Sequence, residues 1–139
     1  ENVSECFKQK LETLKKAYEQ NPSDTLKMRE YADFQMAAHN HAEAIILYQK
    51  ILDKNPKRTD IIFTIASIYY EQKNFSKCEE IINRVFTYDK NNLEARYNIG
   101  VIAAASGDRE KAKLIWQKIF DENPKTPMGK KAKSSLEQL

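Results

Sequence analysis

The dipeptide Asn-Pro recurs at a fixed interval of 34 residues in this chain. It stands at Asn21-Pro22, Asn55-Pro56 and Asn123-Pro124, and Asp89-Lys90 occupies the remaining position of the series. A constant period of this length is typical of helical repeat proteins, because each unit buries its apolar face on its neighbours. The period therefore predicts stacked helical pairs and a surface that binds other molecules.

Composition agrees with helices and narrows the classes of partner. The 139 residues include only 3 Gly and 4 Pro, too few for a fold rich in β-turns. The net charge is +3, an excess too small to suggest nucleic acid as the main partner. No apolar run approaches the roughly 18 residues of a membrane span. Because the chain begins with Glu1, we expect a processed product or a fragment, so localisation stays unknown and membrane attachment would need an upstream anchor.

Aligning the chain at this period produces columns of similar side chains. Small residues fill two columns, which predicts helical pairs that cross closely. Large apolar residues fill the columns beside them at the spacing of one helical face. The small columns are Ala32, Ala66 and Gly100, then Ala44, Cys78 and Ala112; the large columns include Tyr48, Ile82 and Trp116, then Ile51, Val85 and Ile119, then Leu52, Phe86 and Phe120.

These columns resemble the tetratricopeptide repeat (TPR) family. The pattern is most complete where Ile99-Gly100, Gly107-Asp108, Ala112, Trp116 and Pro124 follow one another. The resemblance implies an all-α fold, a right-handed superhelical TPR solenoid of antiparallel helix pairs with about eight helices. The sequence departs from the pattern at Met28, Ile62, Arg96 and Lys90.

The register divides a single domain, 1–139, into units. Three TPR units are expected at 24–56, 58–90 and 92–124. Residues 4–20 are expected to form either the second helix of a truncated repeat or a simple N-terminal cap, since Phe7 aligns with Phe75. Residues 126–139 are expected to form a capping helix that begins at Thr126-Pro127 and turns its lysines to water.

The residue types of catalytic and metal sites are nearly absent. His39 and His41 are the only histidines, so no third imidazole completes a zinc site. Cys6 and Cys78 are expected to be free thiols, and Cys78 lies in a column of small packing residues. No Gly-rich phosphate loop or Ser-centred elbow is present. We therefore expect no enzyme, no catalytic residue, no metal, no cofactor and no small-molecule substrate.

The resemblance also implies a binding surface. TPR proteins hold peptides or helices on the exposed face of each first helix. Phe63, Tyr70 and Tyr97 are the aromatic residues expected to hold a ligand there, although packing between repeats is the alternative for Tyr70 and Tyr97. The predicted groove consists of Leu26, Arg29, Asp33, Met36, Asp60, Phe63, Ser67, Tyr70, Glu71, Glu94, Tyr97, Val101 and Ala104.

The charges of that groove favour one kind of ligand. Acidic residues outnumber the single base, Arg29, so an apolar peptide or amphipathic helix with basic residues is expected. Asp33 and Glu94 stand where the TPR clamp for C-terminal carboxylates has Asn and Lys, which argues against that class. The sequence predicts a non-enzymatic protein–protein interaction module, a scaffold or adaptor. The alternatives are a self-association segment of a larger protein and a regulatory fragment of an enzyme whose catalytic domain lies upstream.

Overall fold

The computed structural model describes residues 3–139, and this part of the chain folds into eight α-helices with no β-strand. The expected all-α class and helix number are thus confirmed. Residues up to Ile61 and residues from Ile62 onward form two compact units. No helix in the described range is long and apolar enough to cross a bilayer. The helices are α1 (Val3–Gln20), α2 (Thr25–Ala37), α3 (His41–Lys54), α4 (Thr59–Glu71), α5 (Phe75–Asn83), α6 (Leu93–Ala105), α7 (Arg109–Glu122) and α8 (Pro127–Glu137).

Helix positions repeat with the period of the sequence. Helices α2, α4 and α6 begin at Thr25, Thr59 and Leu93, successive starts 34 residues apart. The second helix of each pair follows the same interval, with α3, α5 and α7 starting at 41, 75 and 109. The structure gives the ends of the helices, whereas the borders between repeats lie in the connections outside them. The predicted units therefore stay a prediction, with borders at 24–56, 58–90 and 92–124.

Each pair of helices is joined by a turn that contains one residue with positive φ. These residues are His39, Lys73 and Gly107, with φ values of 61°, 58° and 94°. The amide N–H that follows each of them donates to a carbonyl five residues earlier, as Asp108 does to Ala103 at 2.8 Å. This bond closes the first helix in the manner of a Schellman motif. Only Gly107 adopts this backbone region without the steric cost that a Cβ atom imposes.

The Asn-Pro dipeptides mark helix ends, as the sequence predicts. Helix α3 stops at Lys54 and α7 stops at Glu122, each immediately before an Asn-Pro pair. Pro cannot continue a helix, and the residue before it avoids the α region. Helix α5, whose unit has Asp89-Lys90 instead, keeps α geometry only to Asn83 and continues as a 3-10 helix over Arg84–Thr87.

The two columns of small residues are buried. Gly100 shows why size matters there, because a Cβ built on it would lie 2.4 Å from Nε1 of Trp116. That indole N–H donates to the carbonyl oxygen of Tyr97 at 3.2 Å, so the ring has a fixed position. The small columns therefore make room for large neighbours in the second helix. Their other members are Ala32, Ala66, Ala44, Cys78 and Ala112.

We expect Gly100→Ala to destabilise the protein by about 1–3 kcal/mol, because the added methyl group must displace the indole of Trp116. The change should appear as a lower urea midpoint and as altered Trp116 fluorescence. Lys118→Ala is the control, an exposed change on α7 that should shift the free energy of unfolding by at most about 0.5 kcal/mol. Equal midpoints for the two variants would contradict the argument from small columns.

Helix α1 packs on α2 through two aromatic pairs. The rings of Phe7 and Phe34 stack with centroids 4.5 Å apart, and those of Tyr18 and Tyr31 lie 5.8 Å apart. Helix α1 ends at Gln20, which is 34 residues before the end of α3. The C-terminal end of α1 therefore agrees with the second helix of a truncated repeat. Its N-terminal end does not, because α1 starts four residues earlier than the 34-residue register requires. The half-repeat interpretation stays a prediction.

Helix α8 begins as the sequence predicts and packs on α6 and α7. Thr126 is its N-cap and accepts from the amide of Gly129 at 3.0 Å, with Pro127 in the first turn. Its buried residue Ala132 joins an apolar cluster with residues of α6 and α7. Two of its lysines do more than face water, because Lys131 lies over the ring of Tyr97 and Lys133 over that of Phe120. Lys125 and Lys130 are exposed, as expected.

Candidate binding pocket

A pocket of about 370 Å³ lies among α4, α5 and α6, within the unit that starts at Ile62. Its volume is within the range of ligand pockets, near the lower end. The pocket is lined by Phe63, Ala66, Ser67, Tyr70, Glu71, Cys78, Ile82, Asn98, Val101 and Ile102. The structure thus brings together Phe63, Ser67, Tyr70, Glu71 and Val101 from the predicted groove.

Two aromatic rings of α4 border the pocket. Phe63 is partly buried, and Tyr70 is 37% exposed, which makes it one of the few exposed large hydrophobic residues in the described part of the chain. The ring of Tyr70 meets Phe75 edge to face, with centroids 5.8 Å apart. This contact orients Tyr70 without covering it. An incoming side chain would therefore meet a Tyr70 ring that Phe75 holds in place and that remains accessible.

The base of the pocket is apolar and includes a thiol. Ile82 and Ile102 are buried, and so is Cys78, whose Sγ–H donates to the carbonyl oxygen of Ala66 at 3.2 Å. Burial raises the pKa of the Cys78 thiol to about 11, and the nearby charge of Glu79 adds to the shift. Cys78 is therefore a neutral packing residue at ordinary pH, as the sequence analysis expects. Both cysteines are free thiols, and Cys6 is exposed.

Three polar residues complete the lining. Ser67 and Glu71 lie on α4 and are exposed, while Asn98 lies on α6 and is partly buried. Within the described range, Glu71 makes no ion pair and the Asn98 amide makes no side-chain hydrogen bond. Of the described residues that line the pocket, none is Lys or Arg. The pocket thus combines apolar walls with an unpaired negative charge.

We predict that Cys78 reacts with iodoacetamide at pH 8 on the order of 100-fold more slowly than the exposed Cys6, because only the thiolate is nucleophilic. Its rate should rise about tenfold per pH unit toward pH 11. The raised pKa of Cys78 stabilises the folded state at pH values below the ordinary thiol pKa of about 8.5. This contribution to stability is lost as the pH rises from about 8.5 to about 11. Mass spectrometry of each peptide measures both rates, and Cys6→Ser isolates the second thiol. Equal rates at pH 8 would contradict the buried, protonated state of Cys78.

Sequence reasoning missed part of the lining. The alignment of repeats places Ala66 and Cys78 in packing columns and Ile82 in a large apolar column, and it predicts a binding role for none of them. Each does line the pocket while it packs. The useful signal was the small size of Ala66 and Cys78, which leaves space beside the helix crossing. Asn98 and Ile102 carried no signal that the alignment of repeats would single out.

Tyr97, which the sequence places in the predicted groove, is buried in the structure and does not line the pocket. It is only 8% exposed, and its ring stacks on Trp116 with centroids 5.7 Å apart. Its hydroxyl bonds to Oγ of Ser135 at 2.7 Å, and Nζ of Lys131 lies 4.7 Å from the ring centroid. The cause is α8, which covers this face of α6. These contacts favour the packing alternative for Tyr97, and a role in binding stays a prediction.

The charged groove residues of the compact unit that ends at Ile61 pair with one another in an ionic network. Nη1 of Arg29 lies 2.9 Å from Oδ2 of Asp60, and its Nε lies 3.7 Å from Asp33. Asp60 also accepts from Arg58, and this hydrogen bond holds the pKa of its carboxyl below the usual value. These charges largely neutralise one another, so less net negative charge is available to a ligand than the number of acidic residues in the sequence indicates.

Two further residues lie beside that network. The hydroxyl of Tyr48 donates to Asp33. Burial is the main cause that raises the pKa of this phenol, and the hydrogen bond to Asp33 raises it further. Sδ of Met36 lies 4.0 Å from the same hydroxyl. Met36 and Asp33 therefore contact the core tyrosine of α3. Leu26, by contrast, is 61% exposed at the start of α2.

The remaining groove residues lie on α6 outside the pocket lining. Glu94 is exposed in the first turn of α6, and Ala104 packs against the apolar cluster beneath α8.

The two histidines pack against each other edge to face, with ring centroids 5.8 Å apart. Nδ1 of His41 is buried and has no hydrogen-bond partner among the described residues. No group of three or more His, Cys, Asp or Glu residues within 3–139 is arranged to hold an ion.

Two family models match the chain, and both describe the tetratricopeptide repeat. One matches residues 35–86 and the other residues 94–126, together more than half of the chain. The chain belongs to the TPR family, whose repeats typically form non-catalytic modules for protein interactions. No curated protein matches it in sequence.

Solved structures agree with the fold. A tetratricopeptide repeat protein from Parabacteroides merdae ATCC 43184 is 23% identical with a TM-score of 0.73; the match covers 91% of this chain and 51% of that one. YrrB, described as a TPR protein with an unusual peptide-binding site, is 20% identical with a TM-score of 0.70, covering 95% and 68%. The first TPR of Spaghetti (RPAP3), bound to the HSP90 peptide SRMEEVD, is 22% identical with a TM-score of 0.63, covering 82% and 88%. The chain thus spans about half the length of the Parabacteroides protein.

Proposed function

We propose that this chain is a non-enzymatic protein-interaction module that holds a peptide segment in the pocket among α4, α5 and α6. The single observation that carries the proposal is the pocket itself, where Phe63, Tyr70 and Val101 converge from two successive first helices. Large aromatic residues that are oriented but accessible are typical of binding hot spots. Two structural neighbours, the first TPR of Spaghetti with its HSP90 peptide and YrrB with its peptide-binding site, support the same class of ligand.

A peptide suits this pocket better than a small metabolite does. The lining is mainly apolar and offers few polar groups, namely Ser67, Glu71 and Asn98. Metabolite sites bury most of the ligand and orient it with polar groups that converge on it, whereas a peptide gains affinity from one inserted side chain and from contacts around the rim. The proposal includes no cofactor and no catalytic step.

A selection of random peptides tests the proposal. The purified chain is presented with a displayed library, and the selected peptides are measured in solution by fluorescence anisotropy. We expect saturable, one-to-one binding in the micromolar range that competes between independently selected peptides. If selection yields no saturable ligand, or only ligands that do not compete, the pocket is not a peptide site.

The self-association alternative predicts a different behaviour of the same sample. The occupant of the pocket would then be an exposed apolar side chain of a second copy, such as Leu114, which is 72% exposed. Sedimentation velocity over a hundredfold range of concentration separates the two functions. We expect a monomer throughout; a concentration-dependent dimer that the selected peptides dissociate would show that the pocket binds a second copy.

A further inference from the structure

We infer that the ligand of this pocket carries one large apolar side chain with a Lys or Arg close to it along the peptide. The inference rests on the proposed function and specifies its ligand. It follows from three features of the pocket: its volume, the distribution of its apolar walls, and the charge at its edge.

The volume sets how much of the ligand enters. About 370 Å³ is near the lower end for ligand pockets, so it accommodates a single large side chain with its neighbouring atoms. Phe63, Val101 and Ile102 supply apolar walls, and buried Cys78 is a neutral thiol at ordinary pH. A charged or strongly polar side chain inserted here would lose water without gaining matching partners. The inserted group is therefore aliphatic or aromatic.

The edge of the pocket determines the charge beside that group. Glu71 is exposed, lines the pocket and makes no ion pair within the described range. No base among the described lining residues offsets it. A Lys or Arg of the ligand would gain a partner at Glu71, whereas an Asp or Glu at the same place would be repelled. Since Glu71 is exposed, this pair affects association rate and selectivity more than total affinity.

This charge distribution also makes the pocket unlike a site that binds acidic peptide tails. The peptide SRMEEVD, bound to the first TPR of Spaghetti, carries three acidic residues and a single Arg. Binding of such a tail needs cationic or amide donors that converge on the carboxylates. Here the lining offers only the Asn98 amide and the Ser67 and Tyr70 hydroxyls against the negative charge of Glu71. SRMEEVD also has an Arg beside its Met, so the contrast requires the form of this peptide in which Arg is replaced by Gln. We expect that form to bind at least about 10-fold more weakly than a selected basic peptide.

The experiment uses a displayed library in which Lys and Arg are as frequent as Asp and Glu and both peptide ends are blocked. We expect selected peptides to share a large apolar residue with Lys or Arg within four positions. When that base of the peptide is replaced with Gln, binding to the wild-type chain should weaken about 2- to 5-fold. The Glu71→Gln variant should bind the original peptide and the Gln peptide equally well. Glu71→Lys should in turn prefer the peptide in which the base is changed to Glu. Glu80→Gln, an exposed carboxylate on α5 outside the lining, is the matched control.

The outcomes distinguish this inference from the proposed function. If peptides depend on Tyr70 but show no bias toward bases and no response to Glu71→Gln, the charge inference is wrong and the peptide site stands. If the form of SRMEEVD in which Arg is replaced by Gln binds as tightly as the selected peptides, the inference is also wrong. If no selected peptide depends on Tyr70, or none is selected, both the inference and the proposed function fail.

Discussion

Gly129→Ala should undock α8 and cost about 3 kcal/mol or more of folding free energy. A Cβ built on Gly129 would lie 1.7 Å from the carbonyl oxygen of Asn123, which is a backbone atom that no rotamer change can move away. The same oxygen accepts from the hydroxyl of Thr126 at 2.8 Å, so the turn before α8 is fixed by its own hydrogen bonds. The methyl group therefore forces the whole helix to move.

Undocking would expose the apolar surface that α8 covers. Tyr97 and Trp116 are both buried and belong to the cluster that includes Ala132 of α8. A large exposed apolar patch promotes association. We expect Gly129→Ala to show a lower urea midpoint, red-shifted Trp116 fluorescence and self-association in sedimentation. Lys130→Ala, one residue along and exposed, should behave as the wild type. Wild-type fluorescence and midpoint for Gly129→Ala would show that α8 does not need this close approach.

The double change Phe63→Ala and Tyr70→Ala should weaken a selected peptide at least about 30-fold, which corresponds to about 2 kcal/mol of binding free energy. Both rings line the pocket, and neither is fully buried, so their truncation should remove ligand contacts with little effect on helicity. Circular dichroism checks the fold, and fluorescence anisotropy measures the affinity.

Leu114→Ala is the matched control for this double change. It also truncates a large exposed apolar side chain, but on α7 and outside the pocket lining. We expect it to bind the peptide as the wild type does. If Leu114→Ala loses the peptide and the pocket variant retains it, binding occurs through exposed apolar surface elsewhere on the chain.

The repeat period predicted the fold because it is a property of local sequence. Helix ends depend on neighbours along the chain, and Asn55 and Asn123 stop their helices through the proline that follows each. The small columns were equally readable, because close helix crossing constrains side-chain size at fixed positions. Gly100 beside Trp116 is the clearest case.

The site was less predictable because it depends on which residues meet across the fold. Tyr97 and Tyr70 look alike in the sequence, and only the docking of α8 buries the former. Arg29 forms an ion pair with Asp60, which is 31 positions further along the chain. No local sequence pattern connects the two residues, so the sequence does not predict that the charge of Arg29 is neutralised. The requirement for glycine at 129 arises from contact with the carbonyl oxygen of Asn123, which a periodic alignment does not reveal.

Chemical-shift mapping of the labelled protein with a selected peptide tests the central claim most directly. We expect the largest changes at Ala66, Ser67, Val101 and Ile102, which surround the pocket on α4 and α6. Ile46 on α3 and Leu114 on α7, both exposed apolar residues outside the lining, should keep their resonance positions. If the largest changes instead lie on Leu114 or along α8, while the pocket residues do not shift, the chain binds its ligand through another surface and the proposed function of this pocket is contradicted.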